Sequence, residues 1–299
     1  MLDLRVAVIH EAPVPPQTAR ELLTELLKRG VSVLYLRISR LNSEVSSDGR
    51  LSVVYGGEHV IEIDAGLVRG VGSVTTMETL LKRINTLKQF ELSGVLLVNS
   101  TQGFLNARDK YRALQLLSRA GVSIPETKLT EDVYVLTETV RAWGKAVIKP
   151  LIGSMGYGSL LVTDPDIAFI VGKTWLSYSQ PILVQKYRRS KDRDIRVFVV
   201  GDEVLGAIYR YKSEGTWKTN VAQGAKVERA PVDGELGELS LKAVKTLDLD
   251  YAGVDIGETE EGYVIYEVNA MPNWQGFYTG TGISPTPKIV EYVMNKLRK

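Results

Sequence analysis

A predicted β-hairpin at residues 251–269 constrains the fold more than any other stretch of the chain. Two short apolar runs, residues 251–257 and 263–268, flank an acidic segment that ends at Gly262. A three-residue loop, residues 260–262, would join the two strands, with the glycine in the left-handed conformation. That loop length places Asp255 directly opposite Glu267.

Three polar side chains of this hairpin are expected on one face. Successive strand residues alternate faces, so Glu267 and Asn269 point the same way, and the opposed Asp255 shares their face. The Cβ atoms of Asp255 and Glu267 would be about 5 Å apart. Two carboxylates at that distance repel unless a divalent cation or a shared proton lies between them. With the amide oxygen they suit Mg²⁺ bound together with phosphate groups. A solvated hairpin with an acidic outer face is the alternative on geometry alone.

The residue types that are scarce narrow the chemistry. The chain has 299 residues and no cysteine, which excludes disulfides, thiolate metal sites and thiol nucleophiles. Its two histidines, His10 and His59, are far apart in sequence, and each is interpreted as a strand-end residue. A histidine zinc site and a Ser-His-Asp triad are therefore disfavoured. Lysine, arginine, acidic residues and backbone remain, and phosphoryl transfer fits that inventory best.

Net charge and hydrophobic runs bear on location and partners. The net charge is +2, so no strong overall field favours nucleic acid. No apolar run approaches the roughly 18 residues that cross a bilayer, and the N-terminus lacks the apolar region of a signal peptide. These features predict a cytoplasmic protein with no membrane or nucleic-acid partner.

The order of predicted elements indicates an α/β fold. A strand at residues 5–10, a helix at about 18–29 and a strand at 31–38 follow one another, an order typical of an α/β layer. The polar segment 42–50 is predicted to be a loop.

A change of pattern after a buried strand at residues 94–98 predicts the first domain boundary. We expect an N-terminal α/β domain over residues 1–98. The rest divides into two lobes of α+β structure, a central lobe at 99–185 and a C-terminal lobe at 186–299.

A glycine-rich segment joins two predicted strands of the central lobe. Glycines permit positive φ and let backbone N–H groups close over an anion, as in lids that cover nucleotide phosphates. Lys149, at the end of the preceding strand, would supply a fixed positive charge. An ordinary hairpin loop and a surface lysine are the alternatives. The segment reads Gly153, Ser154, Met155, Gly156, Tyr157 and Gly158.

The polar residues Gln185, Lys186 and Tyr187 follow the next apolar strand. Backbone groups at such a strand end can pair with an adenine edge. The basic run at 188–193 comes directly after them, and it is interpreted either as a solvated loop or as a surface for an acidic partner.

Two arginines lie in or at the end of apolar strands. A charge in such a position is costly without an anionic partner. Arg196 and Arg210 are therefore candidates to bind an anion.

Taken in order, these segments resemble the ATP-grasp superfamily and, within it, the RimK-like carboxylate–amine ligases. The likeness runs from about residue 99 to residue 283, whereas residues 1–98 match only in general α/β character. Residues 106–117 resemble the helix with the first nucleotide-binding lysine, here Lys110, and Lys149 with the glycine-rich segment resembles the second lysine and the phosphate lid. The other matching segments are 185–187 (adenine hinge), 194–196 (ribose side), 218–220 (an Arg–Ser–Asn motif with lysine first), 252–256 and 267–270 (metal ligands) and 280–283.

The resemblance implies an ATP-grasp fold with a pre-ATP-grasp N-terminal domain and ATP between two lobes. One or two Mg²⁺ ions, or Mn²⁺, would bind at Asp255, Glu267 and Asn269 while the γ-phosphoryl passes to a carboxylate, and an amine would attack the acyl phosphate. Arg210 and Asn220 are then the candidates to stabilise that intermediate and its tetrahedral adduct. The implied ATP-binding residues are Lys110, Lys149, Gly153, Ser154, Gly156, Tyr157, Gly158, Gln185, Lys186, Tyr187, Asp194, Lys218 and Thr219.

The substrates are implied by the resemblance alone. L-Glutamate or a related amino acid would be added to a carboxylate of a protein, a coenzyme or an acidic carrier protein. Residues 271–274 replace a smaller run of the family, which alters the acceptor pocket, and Arg196 and Asn273 are the substrate candidates. Related ligases are often oligomers, so a homo-oligomer is expected by analogy.

Two other functions compete with this one. A non-catalytic or regulatory ATP-binding module would keep the fold without turnover, but it would not need both lysines and all three metal-ligand positions. A relative of the D-alanine ligases is disfavoured by residues 106–117. Lys186 also departs from the family, in which an acidic residue is usual at the hinge.

Overall fold

The computed structural model describes residues 4–57, 59–72, 76–153, 157–188, 190–212 and 226–298, which form β-sheets with helices packed against them. The strands are β1 (Arg5–His10), β2 (Ser32–Arg37), β3 (Leu41–Val45), β4 (Leu51–Tyr55), β5 (His59–Val60), β6 (Ala65–Val68), β7 (Leu96–Val98), β8 (Thr127–Thr130), β9 (Ala146–Pro150), β10 (Leu160–Val162), β11 (Ile182–Lys186), β12 (Arg193–Val200), β13 (Glu203–Tyr211), β14 (Val227–Ala230), β15 (Tyr251–Thr259) and β16 (Gly262–Asn269). The α-helices are α1 (Gln17–Lys28), α2 (Met77–Leu92), α3 (Thr101–Arg108), α4 (Lys110–Arg119), α5 (Val133–Trp143), α6 (Pro165–Ser177), α7 (Gly234–Thr246), α8 (Gln275–Thr281) and α9 (Thr286–Leu297). The predicted α/β class is confirmed.

The N-terminal sheet is parallel, with strand order β2-β1-β6-β7. Residues 6–9 of β1 are fully buried because side chains on both sheet faces enter apolar cores, which explains the uninterrupted apolar run. The chain passes from β1 to β2 on one side and comes back to β6 on the other. The loops after β1 and β6 therefore diverge and leave a crevice at the carboxyl ends of the strands. His10 and Arg69 lie at that edge.

The prediction of a loop at residues 42–50 was wrong for residues 42–45 and is confirmed for residues 46–50, which connect two strands. Strand β3 covers its first part and pairs antiparallel with β4, and β5 completes a small three-stranded sheet. Four of the five β3 residues are exposed, so the alternation that marks a half-buried strand is missing there. Pairing with β4 decides the conformation instead.

The central sheet is antiparallel, with order β10-β9-β11-β8, and α5 and α6 pack on it around a separate apolar core. The side chain of Asp132 caps α5 and that of Asp164 caps α6, and Pro165 lies in the first turn of α6. The predicted cap at Asp164 is confirmed. Strands β9 and β10 flank the glycine-rich segment in the chain.

The C-terminal sheet is antiparallel, with order β14-β13-β12-β15-β16. One face packs against α3, α4 and α7 through the core that contains Phe104, Leu117 and Ala243. The other face packs against α8 and α9 near Phe198 and Trp274, and its uncovered part carries the polar residues of the site. Helices α3 and α4 thus share a core with this sheet, although the prediction assigned them to the central lobe. The lobe boundaries at residues 98 and 185 stay predictions.

Asn99 joins the N-terminal sheet to the hairpin formed by β15 and β16. Its buried side-chain amide donates to the carbonyls of Tyr251 (3.0 Å) and Ala270 (2.6 Å). Its Oδ1 accepts from the N–H groups of Asp250 (2.6 Å) and Tyr251 (3.0 Å). All four bonds tie the carboxyl end of β7 to the hairpin, which keeps the two sheets in one relative position.

Among the described residues, every helix is too short or too polar to span a lipid bilayer.

Candidate active site

The central cavity lies where the three main sheets meet and has a volume of about 940 Å³. Side chains from all three sheets line it, together with α4 and the segment after β16. The predicted site residues among its lining are Lys110, Lys149, Gly153, Tyr157, Gln185, Lys186, Tyr187, Asp194, Arg196, Arg210, Asp255, Glu267, Asn269 and Asn273. The tertiary structure therefore gathers residues that are up to 163 positions apart in the sequence.

The hairpin of β15 and β16 has the predicted register at the cavity, with Asp255 paired to Glu267. The predicted loop was wrong, because Thr259 pairs with Gly262 and only two residues lie between them. Gly262 has φ +105°, a conformation that favours glycine, but it is the first residue of β16 and not part of the loop. A bulge between Asp255 and Ile256 leaves Tyr266 without a directly opposed partner and restores the register. Tyr266 and Glu267 consequently both line the cavity.

Asp255 is bound by two arginines from neighbouring strands. Arg196 on β12 forms a two-bond pair with the carboxylate, and Nη2 of Arg210 on β13 lies 2.9 Å from Oδ1. Burial disfavours the charge of Asp255, but the two arginines outweigh burial and hold its pKa below the usual value. The carboxylate is therefore ionised and ready to accept a cation.

Arg210 is itself enclosed by carboxylates. It makes two bonds to Asp194, of 2.7 Å and 2.6 Å, besides its contact with Asp255. Burial opposes its charge, yet Asp194 and Asp255 outweigh burial and raise its pKa. The expectation that strand arginines need anionic partners is met within the protein, since Arg196 and Arg210 share Asp255.

The other two predicted metal ligands adjoin Asp255. Nδ2 of Asn269 lies 3.4 Å from Asp255 Oδ2 and 3.5 Å from the carbonyl of Gly253. Oε1 of Glu267 lies 3.6 Å from Nζ of Lys110. Since the amide nitrogen of Asn269 bonds to these oxygens, its oxygen is free to face the cavity.

Lys110 connects the hairpin to the glycine-rich segment. It begins α4, and its Nζ donates to the carbonyl of Gly153 (2.7 Å) while it faces Glu267. Asp109 caps the same helix by accepting from two backbone N–H groups, which fixes Lys110 as the first residue of the helix. One lysine thus contacts both the lid segment and the acidic hairpin.

Lys149 lies on β9 and donates to Oε1 of Gln185 on the adjacent strand β11. Burial lowers the pKa of Lys149 to about 8, with Glu267 opposing and the charge of Lys110 adding to the fall. Nε2 of Gln185 is buried without a hydrogen-bond partner in the described part of the chain. A phosphate anion beside Lys149 would supply a negative charge as partner for its buried ammonium group.

The predicted adenine hinge already uses part of its backbone. The backbone N–H of Lys186 donates to the carbonyl oxygen of Glu126 (2.8 Å), and that of Tyr187 donates to the carbonyl oxygen of Lys145 (3.1 Å). These two N–H groups are therefore not available to an adenine edge, and a hinge role requires other backbone groups of the segment.

Three residues of the basic run at 188–193 form ion pairs with acidic residues at the end of the hairpin. Arg188 pairs with Glu261 (2.9 Å), and Lys191 and Arg193 both pair with Glu258, each at 2.9 Å. The acidic tip and the basic run therefore bind each other. This finding favours a structural role over a surface for an acidic acceptor.

Some predicted residues lie outside the described residues, so the structure places none of them. They are Ser154 and Gly156 of the glycine-rich segment and Lys218, Thr219 and Asn220. Gly158 is described, with φ +76°, and follows Tyr157 at the cavity edge.

A group of cavity residues from the N-terminal side was missed by the sequence analysis. Arg69 follows β6, Arg83 lies on α2 and Arg108 ends α3, and all three line the cavity with His10. Arg69 directly follows an apolar strand, which is the signal that singled out Arg196 and Arg210. His10 is a strand-end residue as predicted, but it borders the site.

The donor set fits magnesium bound with a nucleotide. Two carboxylates and an amide oxygen on one hairpin leave several coordination positions to phosphate oxygens and water, as Mg²⁺ prefers. In the described residues no three acidic or histidine side chains cluster for a metal on their own. Ion binding at this place therefore requires phosphate. Lys110 and Lys149 face the same cavity and would supply the phosphate contacts.

Comparisons with known proteins agree with this geometry. A family model described as RimK-like ATP-grasp domain matches residues 107–293. The chain is 32% identical to the tetrahydromethanopterin:alpha-L-glutamate ligase of Methanosarcina acetivorans, over 94% of this chain and 96% of that protein. It is 31% identical to a probable alpha-L-glutamate ligase of Trichodesmium erythraeum, over 99% and 98%. Among solved structures it is similar in fold to the ATP-grasp ligase PsnB complexed with a minimal precursor, with a TM-score of 0.77, 20% identity and full coverage of both chains.

Proposed function

The chain belongs to the RimK-like ATP-grasp family of ATP-dependent ligases, and from this premise we propose that it joins L-glutamate to an acceptor carboxylate. The reaction consumes ATP, passes through an acyl phosphate and yields an amide, ADP and phosphate.

One observation carries the proposal. Lys110 and Lys149 border the same cavity as Asp255, Glu267 and Asn269, and Lys110 lies 3.6 Å from Glu267. A nucleotide phosphate in this cavity would meet both the positive charges of the lysines and the oxygen ligands for Mg²⁺. This arrangement suits transfer of a phosphoryl group better than any reaction that needs a histidine or thiol.

The residues have separable tasks in this proposal. Lys149 holds phosphate from β9, and Lys110 links phosphate to the glycine-rich lid through Gly153. Asp255, Glu267 and Asn269 would hold Mg²⁺, which would supply charge neutralisation for the transferred γ-phosphoryl group. One or two ions, and Mn²⁺ in place of Mg²⁺, are compatible with this donor set.

The acyl phosphate requires cationic groups and protection from water. Arg210 and Arg196 lie beside Asp255, so a cation that takes over the Asp255 carboxylate would release Arg196 to face the intermediate, while Arg210 stays bound to Asp194 and presents its positive charge. Asn220 stays our candidate for the tetrahedral adduct and Asn273 for a substrate contact. The lid excludes water that would hydrolyse the intermediate.

L-Glutamate as the amino acid rests on relatives that are named alpha-L-glutamate ligases. The acceptor is a coenzyme, a protein or a carrier protein that presents a carboxylate. We expect the ligase to act in the cytoplasm, where ATP and L-glutamate are abundant, and to form a homo-oligomer as related ligases do.

A non-catalytic ATP-binding module is the second candidate. It would bind Mg²⁺ and ATP without amino-acid-dependent turnover. The buried charges of Asp255, Arg196 and Arg210 disfavour this candidate, because these groups are costly to bury and a module that only binds ATP would not need them.

The decisive experiment measures ADP release from the full chain with Mg²⁺, ATP, a panel of amino acids and candidate acceptors. Glutamate-dependent ADP release with a glutamyl mass increase on one acceptor is the expected result. Glu267→Gln is the inactive control. ATP binding without amino-acid-dependent release under any combination would instead support the non-catalytic module.

A further inference from the structure

A second cationic region lies in the cavity, on the side of the N-terminal sheet. Arg69 and Arg83 are 7% and 8% exposed, and Arg108 is half-buried. All three border the cavity that holds the proposed reaction. None of them belongs to the nucleotide or metal sites described above.

These arginines are poorly neutralised. Arg83 pairs with Glu11 (3.3 Å), which is shared with Arg37 (3.5 Å). Across the described residues, Arg69 and Arg108 have no carboxylate partner, and Nε of each is buried without a hydrogen bond. Burial, and then the charge of Arg83, lower the pKa of Arg108. A buried guanidinium without a counter-ion is costly, so an anion in the cavity would relieve Arg69 and Arg108 and would add a second partner for Arg83.

The loop after β6 holds these side chains in place. Arg83 donates to the carbonyl of Val71 (2.6 Å) and Arg108 donates to the next carbonyl, that of Gly72 (3.2 Å). Two guanidinium groups thus bind consecutive peptide units, whose Cα atoms are about 3.8 Å apart. The cations are held near each other on one loop.

Arg69 extends the cluster toward the reacting groups. It donates to the carbonyl of Pro272 (2.8 Å) and its guanidinium lies over the ring of Trp274 at 4.5 Å. Pro272 follows β16, the strand that carries Glu267. One face of the cluster is therefore continuous with the segment at which the acceptor pocket departs from the family.

His10 supplies a neutral donor at the same place. Its Nδ1 accepts from the N–H of Ala12 (2.8 Å), so the proton of the neutral ring is on Nε2. The ring packs against Gly70, where a Cβ would lie only 2.6 Å from it. The absence of a side chain at Gly70 lets the imidazole lie beside Arg69.

The fold itself directs a ligand to this point. The crevice between the loops after β1 and β6 is where the strand order of the parallel sheet diverges, and such crevices are where α/β sheets bind ligands. His10 comes from one of the two loops and Arg69 from the other.

We propose that Arg69, Arg83 and Arg108, with His10, form a subsite for a carboxylate that does not react. The proposal rests on the ligase function proposed above and specifies the substrate: either the amino acid or the acceptor carries a second anionic group that reaches the N-terminal sheet. Planar guanidinium groups match a carboxylate in geometry, so the subsite suits such an anion.

Calorimetry on the full chain tests the subsite in the presence of Mg²⁺ and a non-hydrolysable ATP analogue. L-Glutamate is the probe for the amino acid, and N-acetyl-L-glutamate, whose amine is blocked, is the probe for the acceptor. Arg108→Gln is expected to weaken binding of one probe by about tenfold, the loss of one charged hydrogen bond. The weakened probe identifies which substrate uses the subsite.

Arg112→Gln is the matched control, because Arg112 is exposed on α4 and removal of its charge leaves the cavity unchanged. Its dissociation constants should stay within about twofold of the wild-type values. Affinity for the ATP analogue is measured first on every protein. If the wild-type protein does not bind the ATP analogue, the ligase proposal is refuted. If it binds the analogue but the probe affinities do not depend on Arg108, only the subsite proposal is refuted.

Equal probe affinities in wild type and Arg108→Gln, or no binding of either probe to wild type that binds the analogue, would overturn the subsite. If Arg108→Gln does not fold, Arg108→Lys replaces it. Lysine keeps the charge and loses the planar fork, so a severalfold loss is expected and unchanged affinity again overturns the proposal.

Discussion

Asp255 and Glu267 lie directly opposite each other on β15 and β16, and the bulge at Tyr266 is what brings them into register. The two carboxylates have different partners, since Asp255 binds arginines while Glu267 faces Lys110. The two arginines hold the pKa of Asp255 below its usual value, so this carboxylate of the pair is ionised.

Glu267→Gln removes one of the two carboxylates while it preserves side-chain size. ADP release at saturating Mg²⁺ and ATP should fall about 100-fold or more, because a metal ligand contributes several kcal/mol to transition-state stabilisation. Glu260→Gln makes the same change at the tip of the hairpin, outside the cavity, and should leave the rate within about twofold. Equal losses in both variants would show that hairpin stability, and not the cavity carboxylate, sets the rate.

The lowered pKa of Lys149 predicts a pH dependence of nucleotide binding. Below pH about 8 the lysine is charged and contacts phosphate, and above that pH it loses its proton, so ATP affinity should fall as pH rises. The loss should approach about tenfold per pH unit, the limit for one proton. ATP dissociation constants from about pH 6 to pH 10 measure it.

Lys149→Arg is the control for that measurement. Its guanidinium stays charged throughout the range, so the ATP dissociation constant of the variant should depend little on pH near pH 8. A wild-type slope that persists in the variant would assign the titration to another group.

Asn99→Ala should destabilise the protein by about 3 kcal/mol or more, since four buried hydrogen bonds to Tyr251, Ala270 and Asp250 are lost. Urea denaturation gives the free energy of unfolding. Asn42→Ala, on the exposed strand β3, should change that energy by no more than about 0.5 kcal/mol. A loss at Asn99 as small as the one at Asn42 would mean that the two sheets are held together elsewhere.

Two helical glycines are expected to respond to alanine in opposite ways. A Cβ at Gly103 in α3 would lie 2.0 Å from the carbonyl oxygen of Asp248, so Gly103→Ala should cost about 1–3 kcal/mol through displacement of the backbone. A Cβ at Gly237 in α7 has its nearest atom at 3.6 Å, and Gly237→Ala should stabilise by about 0.4–1 kcal/mol. Thermal unfolding of both variants checks the pair, and stabilisation by Gly103→Ala would contradict the close contact of α3 with Asp248.

Sequence patterns predicted the local parts of the site. Residues 5–10 form the predicted strand, Asp164 caps the predicted helix, and Asp255 faces Glu267 as alternation requires. The loop of that hairpin was mispredicted because a bulge and a shorter turn give the same register as a longer turn. Nothing in a period-two pattern distinguishes these solutions.

Charge partners could not be predicted in the same way. Arg196 was predicted to need an anion, but Asp255, 59 residues away, supplies it because β12 and β15 are adjacent. The basic run was interpreted as solvated or as a partner surface, and Glu258 and Glu261 pair with Arg188, Lys191 and Arg193 because the hairpin lies beside it.

The sequence alone determined most of the apolar strands, the helix cap at Asp164, the acidic hairpin and the ordered motifs, because these depend on backbone periodicity and on residue types within a few positions of one another. The tertiary structure alone decided which charges meet. In the described part of the chain, it placed Arg69 and Arg108 beside the cavity without a carboxylate partner, and it gave Asp255 two arginines. An ion pair forms only between groups a few ångströms apart, and that proximity is set by how the sheets pack.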